Sequence, residues 1–358
     1  MAVFRKIGIL TSGGDAPGMN ACVKAVVNKA LSMGIEVVGI IGGYAGLIKG
    51  ELMPLTHNSV NNIVGMGGTF LYSSRCPEFM TEEGMQTAVE TCKKNQIDAL
   101  VCIGGDGTFR GATDMTFHGI PSIGLPGTID NDVTATDYTI GLDTSINTTV
   151  QIIDNLRDTC ESHARLNVVE VMGRGCGQIA LYAAIASGAV AVAIPEVPFD
   201  EAAAIEKIRK LRNNGKRSMI VVVSEGVFNP DGTPYSETLA KKIAKETGVE
   251  TKFMRTAHVV RGGKPTMRDR TTATQMAVKA VELLVEGKSN VVMCELDGEI
   301  VALDIAFALI LDRMYKNKLK PGDLDKFTPE QIEEMKTLSA KRTAELQRLY
   351  KVATDVSF

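Results

Sequence analysis

The chain has 358 residues, of which 44% are hydrophobic and 23% are charged, and its formal net charge at pH 7 is −3. This apolar content suffices to bury a core and excludes a disordered chain, while the charge balance lacks the basic face of a nucleic-acid-binding protein. No apolar run of about 18 residues occurs, so no membrane span is expected. The N-terminus has no long apolar signal region, and we therefore expect a cytoplasmic protein.

Short apolar runs alternate with helical patterns along the chain. In the first half, strands are predicted at 7–10, 37–41, 99–103 and 121–125, with helices after Gly14 to about Met33, over 82–95 and before Pro121. The rhythm restarts with a helix over 142–160, then strands at 168–172, 190–194 and 219–223 and helices at 177–186, 201–213, 236–246 and 269–285. Continuous apolar strands separated by helices are typical of parallel sheets covered on both faces. We therefore predict an α/β protein with two Rossmann-like, three-layer αβα domains and mostly parallel sheets.

The C-terminal segment has a different character. Thr328-Pro329-Glu330-Gln331 is a capping-box pattern with proline at the first helical position, which predicts a helix from there to about Val352. Its mixed charges favour a solvated packing helix, and an interface role is the alternative.

Three glycine-rich loops follow predicted strands, and ligands of parallel α/β sheets bind at the carboxyl ends of strands. The first loop, Thr11–Asn20, reads T-S-G-G-D-A-P-G-M-N. Its glycines would let backbone N–H groups approach a phosphate near a helix N-terminus. It is not a Walker A loop, because no Gly-Lys-Ser/Thr closes it. An ordinary strand-to-helix turn is the alternative.

The second and third loops carry carboxylates. Gly104–Thr108 reads G-G-D-G-T, and its Asp106 could reach a Mg²⁺ held on nucleotide phosphates or, alternatively, cap the next helix. Pro126–Asp132 reads P-G-T-I-D-N-D. Its two carboxylates, Asp130 and Asp132, next to a threonine hydroxyl, are typical of a proton-transfer site, and a cluster of Asx-turns is the alternative.

Together the loops resemble the phosphofructokinase family, in particular its bacterial ATP-dependent 6-phosphofructokinases. V-V-E-V-M-G-R at Val168–Arg174 and R-G-G at Arg261–Gly263 also match, in family order and spacing, and the resemblance covers residues 5 to about 315. It implies phosphoryl transfer from ATP, with Mg²⁺, to the 1-hydroxyl of fructose 6-phosphate, and a homotetramer whose active sites are shared between subunits. It also implies an active site in the cleft between the two domains.

The same resemblance implies the domain bounds. The larger, ATP-binding domain would comprise residues 1–141 plus about 260–304. The smaller, sugar-phosphate domain would comprise residues 142–259 plus about 305–327. Residues 328–358 would form a helical extension beyond the bacterial pattern.

Roles for individual residues follow from the resemblance by position. Asp130 would be the general base on the substrate hydroxyl, and Asp106 would be the Mg²⁺ ligand. The groups that support the base or stabilise the transferring phosphoryl would be Thr128, Asp132, Gly14, Arg75 and Arg174. The ATP-binding residues would be Gly14, Tyr44, Arg75, Gly105, Asp106, Gly107 and Thr108. The substrate-binding residues would be Thr128, Asp130, Arg165 (from a neighbouring subunit), Met172, Gly173, Arg174, Glu225, Lys252, His258 and Arg261.

A few positions bear on the donor and on departures from the family. Pyrophosphate-dependent relatives carry Asp and Lys where Gly107 and Gly127 stand, and an Asp side chain at 107 would obstruct and repel the α-phosphate of ATP, so glycine at both places favours ATP.

Lys252 stands where the family usually has Arg; it keeps the charge but loses the bidentate fork, and Arg255 could replace it. Several basic effector-site positions of the family are also replaced, Asn28 among them, so we expect a weak effector response or none.

Other functions stay open. A kinase of the same fold could use pyrophosphate or another sugar phosphate, and a non-catalytic subunit could keep the fold. An inactive relative would be expected to lose Asp106, Asp130 or Arg174, all of which are present.

Overall fold

Two separate sheets form, one in each of two units into which the chain divides. The computed structural model describes residues 4–357. Unit 1 comprises the described residues through Ile129, Val133–Asp143 and Arg261–Ala340. Unit 2 comprises Asp130–Asp132, Thr144–Val260 and the described residues from Lys341 onward. The predicted α/β class with mostly parallel sheets is confirmed.

The secondary structure follows the predicted alternation. The strands are β1 (Lys6–Thr11), β2 (Glu36–Ile40), β3 (Leu52–Leu55), β4 (Ala99–Gly104), β5 (Ser122–Pro126), β6 (Leu166–Val171), β7 (Ala191–Ala193), β8 (Met219–Ser224), β9 (Thr251–Arg255), β10 (Val291–Leu296) and β11 (Glu299–Asp304). The helices are α1 (Met19–Ser32), α2 (Tyr44–Lys49), α3 (Glu82–Lys94), α4 (Asp106–Phe117), α5 (Leu142–His163), α6 (Gln178–Ser187), α7 (Glu201–Asn213), α8 (Tyr235–Thr247), α9 (Met267–Val285), α10 (Ile305–Tyr315) and α11 (Pro329–Asp355). Helix α1 begins later than predicted, because Gly18 has a φ of 107° and is not helical.

The sheet of unit 1 has seven strands in the order β11-β10-β5-β4-β1-β2-β3. Its central strands are parallel, and β3 and β11 are antiparallel at the two edges. From β1 the chain builds outward to β2 and β3 on one side and then returns to β4 on the other. The carboxyl ends of β1 and β4 are therefore the topological switch point, where open α/β sheets bind ligands.

Unit 2 has a four-stranded, fully parallel sheet in the order β7-β8-β6-β9. Strands β6 and β8 are buried along their whole length, as expected for parallel strands covered on both faces. Their side chains pack with Ile205 and Ile208 of α7 and with Leu239 and Ile243 of α8.

The segment 305–327 differs from its expected place in the smaller domain. It falls within unit 1, because Ile305, Phe307 and Leu311 of α10 are buried in the same apolar cluster as Leu10 and Leu100 of the seven-stranded sheet. We predicted no helix or strand in this segment, so no pattern indicated where it would pack.

The C-terminal helix α11 begins with the predicted capping box. The Thr328 N–H donates to Gln331 Oε1 at 3.0 Å, and the Gln331 N–H donates to Thr328 Oγ1 at 3.3 Å. The residues of α11 up to Ala340 belong to unit 1, where Met335 is buried. The residues from Lys341 onward belong to unit 2, and Ser357, just after the helix, accepts a hydrogen bond from Lys207 at its Oγ. Among the described helices, none has both the length and the apolar character needed to cross a membrane.

Candidate active site

The three glycine-rich loops begin at neighbouring strand ends. The first follows β1, the second follows β4 and the third follows β5, and these strands are paired in that order. The Ser12 N–H donates to the Ile103 carbonyl at 2.9 Å, and Thr108 Oγ1 donates to the Ser12 carbonyl at 3.2 Å. The Gly127 N–H donates to the Gly104 carbonyl at 3.0 Å. Within unit 1 the loops are thus hydrogen-bonded to one another.

Gly104 is required where the first two loops meet. A Cβ at this position would lie 2.2 Å from Thr108 Oγ1 and 2.4 Å from the Ser12 carbonyl oxygen. Both distances are too short for any side chain, so only glycine allows the two loops to approach this closely.

The second loop leads directly into α4, whose first residue is Asp106. Asp106 is half-buried and Gly107 is exposed. No atom lies within 4 Å of a Cβ built on Gly105 or on Gly107, so the space beside both is open. A carboxylate, a glycine-rich turn and the positive end of a helix dipole are therefore together at the switch point.

Tyr44, which the resemblance placed among the ATP-binding residues, is buried behind this turn. Its hydroxyl donates to the Thr108 carbonyl at 2.8 Å, and its ring stacks on Phe79 with 4.1 Å between the centroids. Burial raises the pKa of the Tyr44 phenol well above its ordinary value. In unit 1 its hydroxyl supports the first turn of α4 from the core side.

Arg75 stands on a loop fastened to the first glycine-rich loop. Thr11 Oγ1 donates to the Tyr72 carbonyl at 2.7 Å, and Ser73 Oγ donates to the Gly13 carbonyl at 2.5 Å. The Arg75 side chain itself is exposed. The structure thus brings an exposed cation to the loop that the sequence predicts to bind phosphate.

Arg261 lies in unit 1, at the first loop. Its Nη1 donates to the Asp15 carbonyl at 3.2 Å, and a Cβ on Gly14 would lie 2.6 Å from that nitrogen. We predicted Arg261 as a substrate contact, and its guanidinium packs on the predicted phosphate loop.

The third loop is divided between the two units. Thr128 belongs to unit 1, where it is buried and its carbonyl accepts a bond from Thr139 Oγ1 at 2.7 Å. Asp130 belongs to unit 2 and is only 5% exposed. Asn131 has a φ of 50°, and its Nδ2 donates to Gln178 Oε1 at 2.7 Å, which fixes the loop on α6. The Asp132 carboxylate lies 3.7 Å from Arg174 Nη1, as an ion pair.

Glu225 holds the backbone that presents Arg174. The Gly173 and Arg174 N–H groups both donate to Glu225 Oε1, at 3.2 and 2.9 Å. Gly173 and Arg174 have φ values of 145° and 58°, and a left-handed arginine is unusual. Such strain persists where surrounding contacts enforce it, and here the carboxylate of Glu225 does so. Glu225, predicted as a sugar contact, is therefore also a positioning residue.

A cavity of about 670 Å³ opens in unit 2 beside these groups. Four predicted substrate-binding residues line it: Met172, Arg174, Glu225 and His258. Glu170, Phe228 and Arg255 line it as well. Glu170 was absent from the predicted site, although a carboxylate within the apolar run of the V-V-E-V-M-G-R motif was a usable sign of it.

Arg165 and Lys252, two further predicted substrate-binding cations, are not among the residues that line this cavity. Both pair with Glu250 instead: Arg165 Nε lies 2.8 Å from Glu250 Oε2, and Lys252 Nζ lies 3.1 Å from Glu250 Oε1. The pair with Arg165, followed by that with Lys252, lowers the pKa of Glu250 to about 2. That they serve a neighbouring subunit, as the resemblance implies, stays a prediction.

Comparison with known proteins identifies the family. The phosphofructokinase family model matches residues 6–284. The chain belongs to the phosphofructokinase family. It is 49% identical over 316 residues to ATP-dependent 6-phosphofructokinase 1 of Clostridium perfringens strain 13, covering 88% of this chain and 97% of that protein. It is 48% identical to the ATP-dependent 6-phosphofructokinase of Clostridium botulinum strain Loch Maree, with the same coverage.

Solved structures of the family share the fold. Phosphofructokinase from Saccharomyces cerevisiae superposes with a TM-score of 0.82 at 32% identity, over 93% of this chain and 50% of that one. The Pichia pastoris phosphofructokinase gives 0.82 at 33% identity, over 95% of this chain and 39% of that one. The chain thus spans half or less of the length of these fungal chains. A pyrophosphate-dependent phosphofructokinase from Marinobacter aquaeolei, at 20% identity and a TM-score of 0.72, shares the fold.

Proposed function

We propose that this chain transfers the terminal phosphoryl group of ATP to the 1-hydroxyl of fructose 6-phosphate, giving fructose 1,6-bisphosphate and ADP. The observation that carries the proposal is the set of linked loops at the switch point of unit 1, with Asp106 at the start of α4. The two clostridial relatives bear the name of this activity and match nearly their whole length.

The donor binds at the loops of unit 1 in this proposal. Backbone N–H groups of the first loop and the α4 N-terminus meet the phosphates, and Arg75 adds an exposed positive charge. Gly107 leaves open space where the α-phosphate of ATP needs room, which favours ATP over pyrophosphate.

Magnesium fits the donor set beside Gly105 and Gly107. Asp106 offers hard carboxylate oxygens next to open space, and Mg²⁺ usually takes one or two protein carboxylates together with phosphates. Within residues 4–357, no group of three or more His, Cys, Asp or Glu side chains is placed to hold a metal ion. Bound there, Mg²⁺ would neutralise charge on the phosphates.

The acceptor binds in the cavity of unit 2. Asp130 takes the proton of the reacting hydroxyl, and Asp132 orients Arg174, whose charge stabilises the transferring group. Such transfer needs positioning and charge neutralisation more than covalent chemistry. Arg165 and Lys252 extend the acceptor site between copies of the chain in a homotetramer.

The experiment that tests this proposal compares the wild type with Asp130→Ser. Formation of fructose 1,6-bisphosphate is followed with ATP and Mg²⁺, and fructose 6-phosphate binding is measured separately by calorimetry. We expect kcat to fall by about 10²- to 10⁴-fold with little loss of binding, because a general base acts mainly in the transition state.

Asp143→Asn is a control carboxylate change outside the proposed site, and its kcat should stay near that of the wild type. Near-normal turnover by Asp130→Ser would remove Asp130 from its role. No turnover by the wild type with any nucleoside triphosphate would refute the proposed function itself.

A further inference from the structure

The cavity of unit 2 is lined by a buried carboxylate that has several hydrogen-bond donors. Glu170, on β6, is only 6% exposed. It accepts hydrogen bonds from Ser236 Oγ and Arg255 Nε, and Arg255 Nη2 lies 3.4 Å from its other oxygen. Both carboxylate oxygens of Glu170 are therefore engaged inside the protein.

Arg255 is held by these bonds but remains accessible. Its side chain is 47% exposed and lines the cavity. Its guanidinium carbon also lies 5.6 Å from the centre of the Phe253 ring, which fixes it further. Glu170 raises the pKa of Arg255, so the guanidinium stays charged. Within residues 4–357, Nη1 donates no hydrogen bond, so a fixed guanidinium retains donors for a ligand.

The strand register separates Arg255 from Lys252. Arg255 pairs with Glu170 and Lys252 pairs with Asn167 in the β6–β9 ladder. Because side chains alternate along a strand, residues 252 and 255 point to opposite faces of the sheet. Lys252 is engaged with Glu250, and Arg255 faces the cavity.

Two arginines line the cavity, Arg174 and Arg255, and they differ in position. Glu225 accepts two backbone N–H groups, and Arg174 pairs with Asp132 on the side of the proposed base. His258 is the only other titratable side chain among the lining residues. An anionic group of the acceptor that lies away from the reacting hydroxyl therefore meets Arg255.

We propose that Arg255 is a specificity-determining residue of this site, and that its guanidinium, fixed on Glu170, binds the phosphate monoester of the hexose phosphate acceptor. This inference rests on the proposed function. A planar guanidinium suits phosphate better than the ammonium of Lys252 does, because its donors form a fork. The cation comes from the chain that forms the cavity and needs no second copy.

The test uses the full chain and measures kcat and KM for fructose 6-phosphate at saturating ATP and Mg²⁺, with calorimetric binding of fructose 6-phosphate in parallel. Arg255→Met is expected to raise KM about 10- to 100-fold, as expected for a charged hydrogen bond, while kcat stays within about threefold. Arg255→Lys should give an intermediate KM. The matched control is Arg209→Met: Arg209 is 43% exposed and pairs with Glu206, and its loss should leave KM unchanged.

A purely structural role for Arg255 would be the neutralisation of buried Glu170. The double variant Glu170→Gln/Arg255→Met removes both charges and leaves no carboxylate stranded, so it also serves if Arg255→Met fails to fold. We expect its KM and its dissociation constant to stay raised at least tenfold. Wild-type values in the double variant would overturn the inference. Absence of any fructose 6-phosphate turnover by the wild type would instead count against the proposed function, and calorimetry would still decide Arg255.

Discussion

A carboxylate at position 107 should change the use of ATP without harming the fold. Gly107 is the second residue of α4, its backbone is not left-handed, and nothing lies within 4 Å of a Cβ there. Replacing a helical glycine, and adding an acidic group to the first turn, should leave Gly107→Asp as stable as the wild type or up to about 1 kcal/mol more stable.

The same substitution should weaken the binding of ATP. In the proposed site a carboxylate at 107 would face the donor phosphates, and a separation of about 6 Å is taken for the magnitude. At an effective dielectric constant of about 20, two like unit charges at that distance repel by about 3 kcal/mol, or roughly a hundredfold in affinity. Because position 107 is exposed, screening by solvent reduces this, and we expect KM for ATP to rise about 10- to 100-fold.

The assay is steady-state turnover at varied ATP with saturating fructose 6-phosphate, alongside urea unfolding. Gly107→Asn is the matched control, since it adds nearly the same volume without the charge. It should raise KM for ATP less than Gly107→Asp does. If Gly107→Asp keeps the wild-type KM for ATP while remaining folded, the phosphates do not pass residue 107 and the donor argument fails.

Two further predictions concern stability. Gly127→Lys should destabilise unit 1 by about 1 to 3 kcal/mol, because a Cβ there would lie 2.9 Å from Ile103 Cγ2 in a packed core; an unchanged urea midpoint would contradict this. The ion pairs of Glu250 lower its folded pKa to about 2 from 4.5, so their small contribution is complete above about pH 4.5 and is lost as the pH falls through about 2. Thermal melts of Glu250→Gln should therefore differ from the wild type at pH 6 and converge with it near pH 2, and equal differences at both would argue against these ion pairs.

The parts of the fold that the sequence predicts well are those with uniform burial. Strand β8 reads as an apolar run because every residue in it is buried, and β6 is equally buried although Asn167 and Glu170 interrupt its apolar residues. Strand β9 is half-exposed and contains Lys252 and Arg255, so it gave no such run, and we did not predict it. Strand β11 was also missed, although it contains the apolar run Ile300–Leu303. The β10–β11 turn did carry a sign: Asp297 and Gly298 have φ values of 52° and 85°, the conformation that Asp-Gly favours in tight hairpins.

Some features of the candidate site could also be predicted from the sequence, and others could not. Spacing within one loop is local, so Asp106 and Asp130 could be found from the sequence. The pairing of Glu170 with Arg255 depends on the register of two strands that are far apart in the chain, which no local pattern encodes. The ion pairs that engage Arg165 and Lys252 likewise depend on the position of Glu250, which no local pattern encodes.

Phosphorylation of fructose 6-phosphate by this chain with ATP is tested by comparing two phosphoryl donors side by side. The purified full chain is given fructose 6-phosphate and Mg²⁺ with either ATP or pyrophosphate, and fructose 1,6-bisphosphate is detected in a coupled assay. We expect turnover with ATP and none with pyrophosphate. Turnover with pyrophosphate alone, or with neither donor, would contradict this expectation.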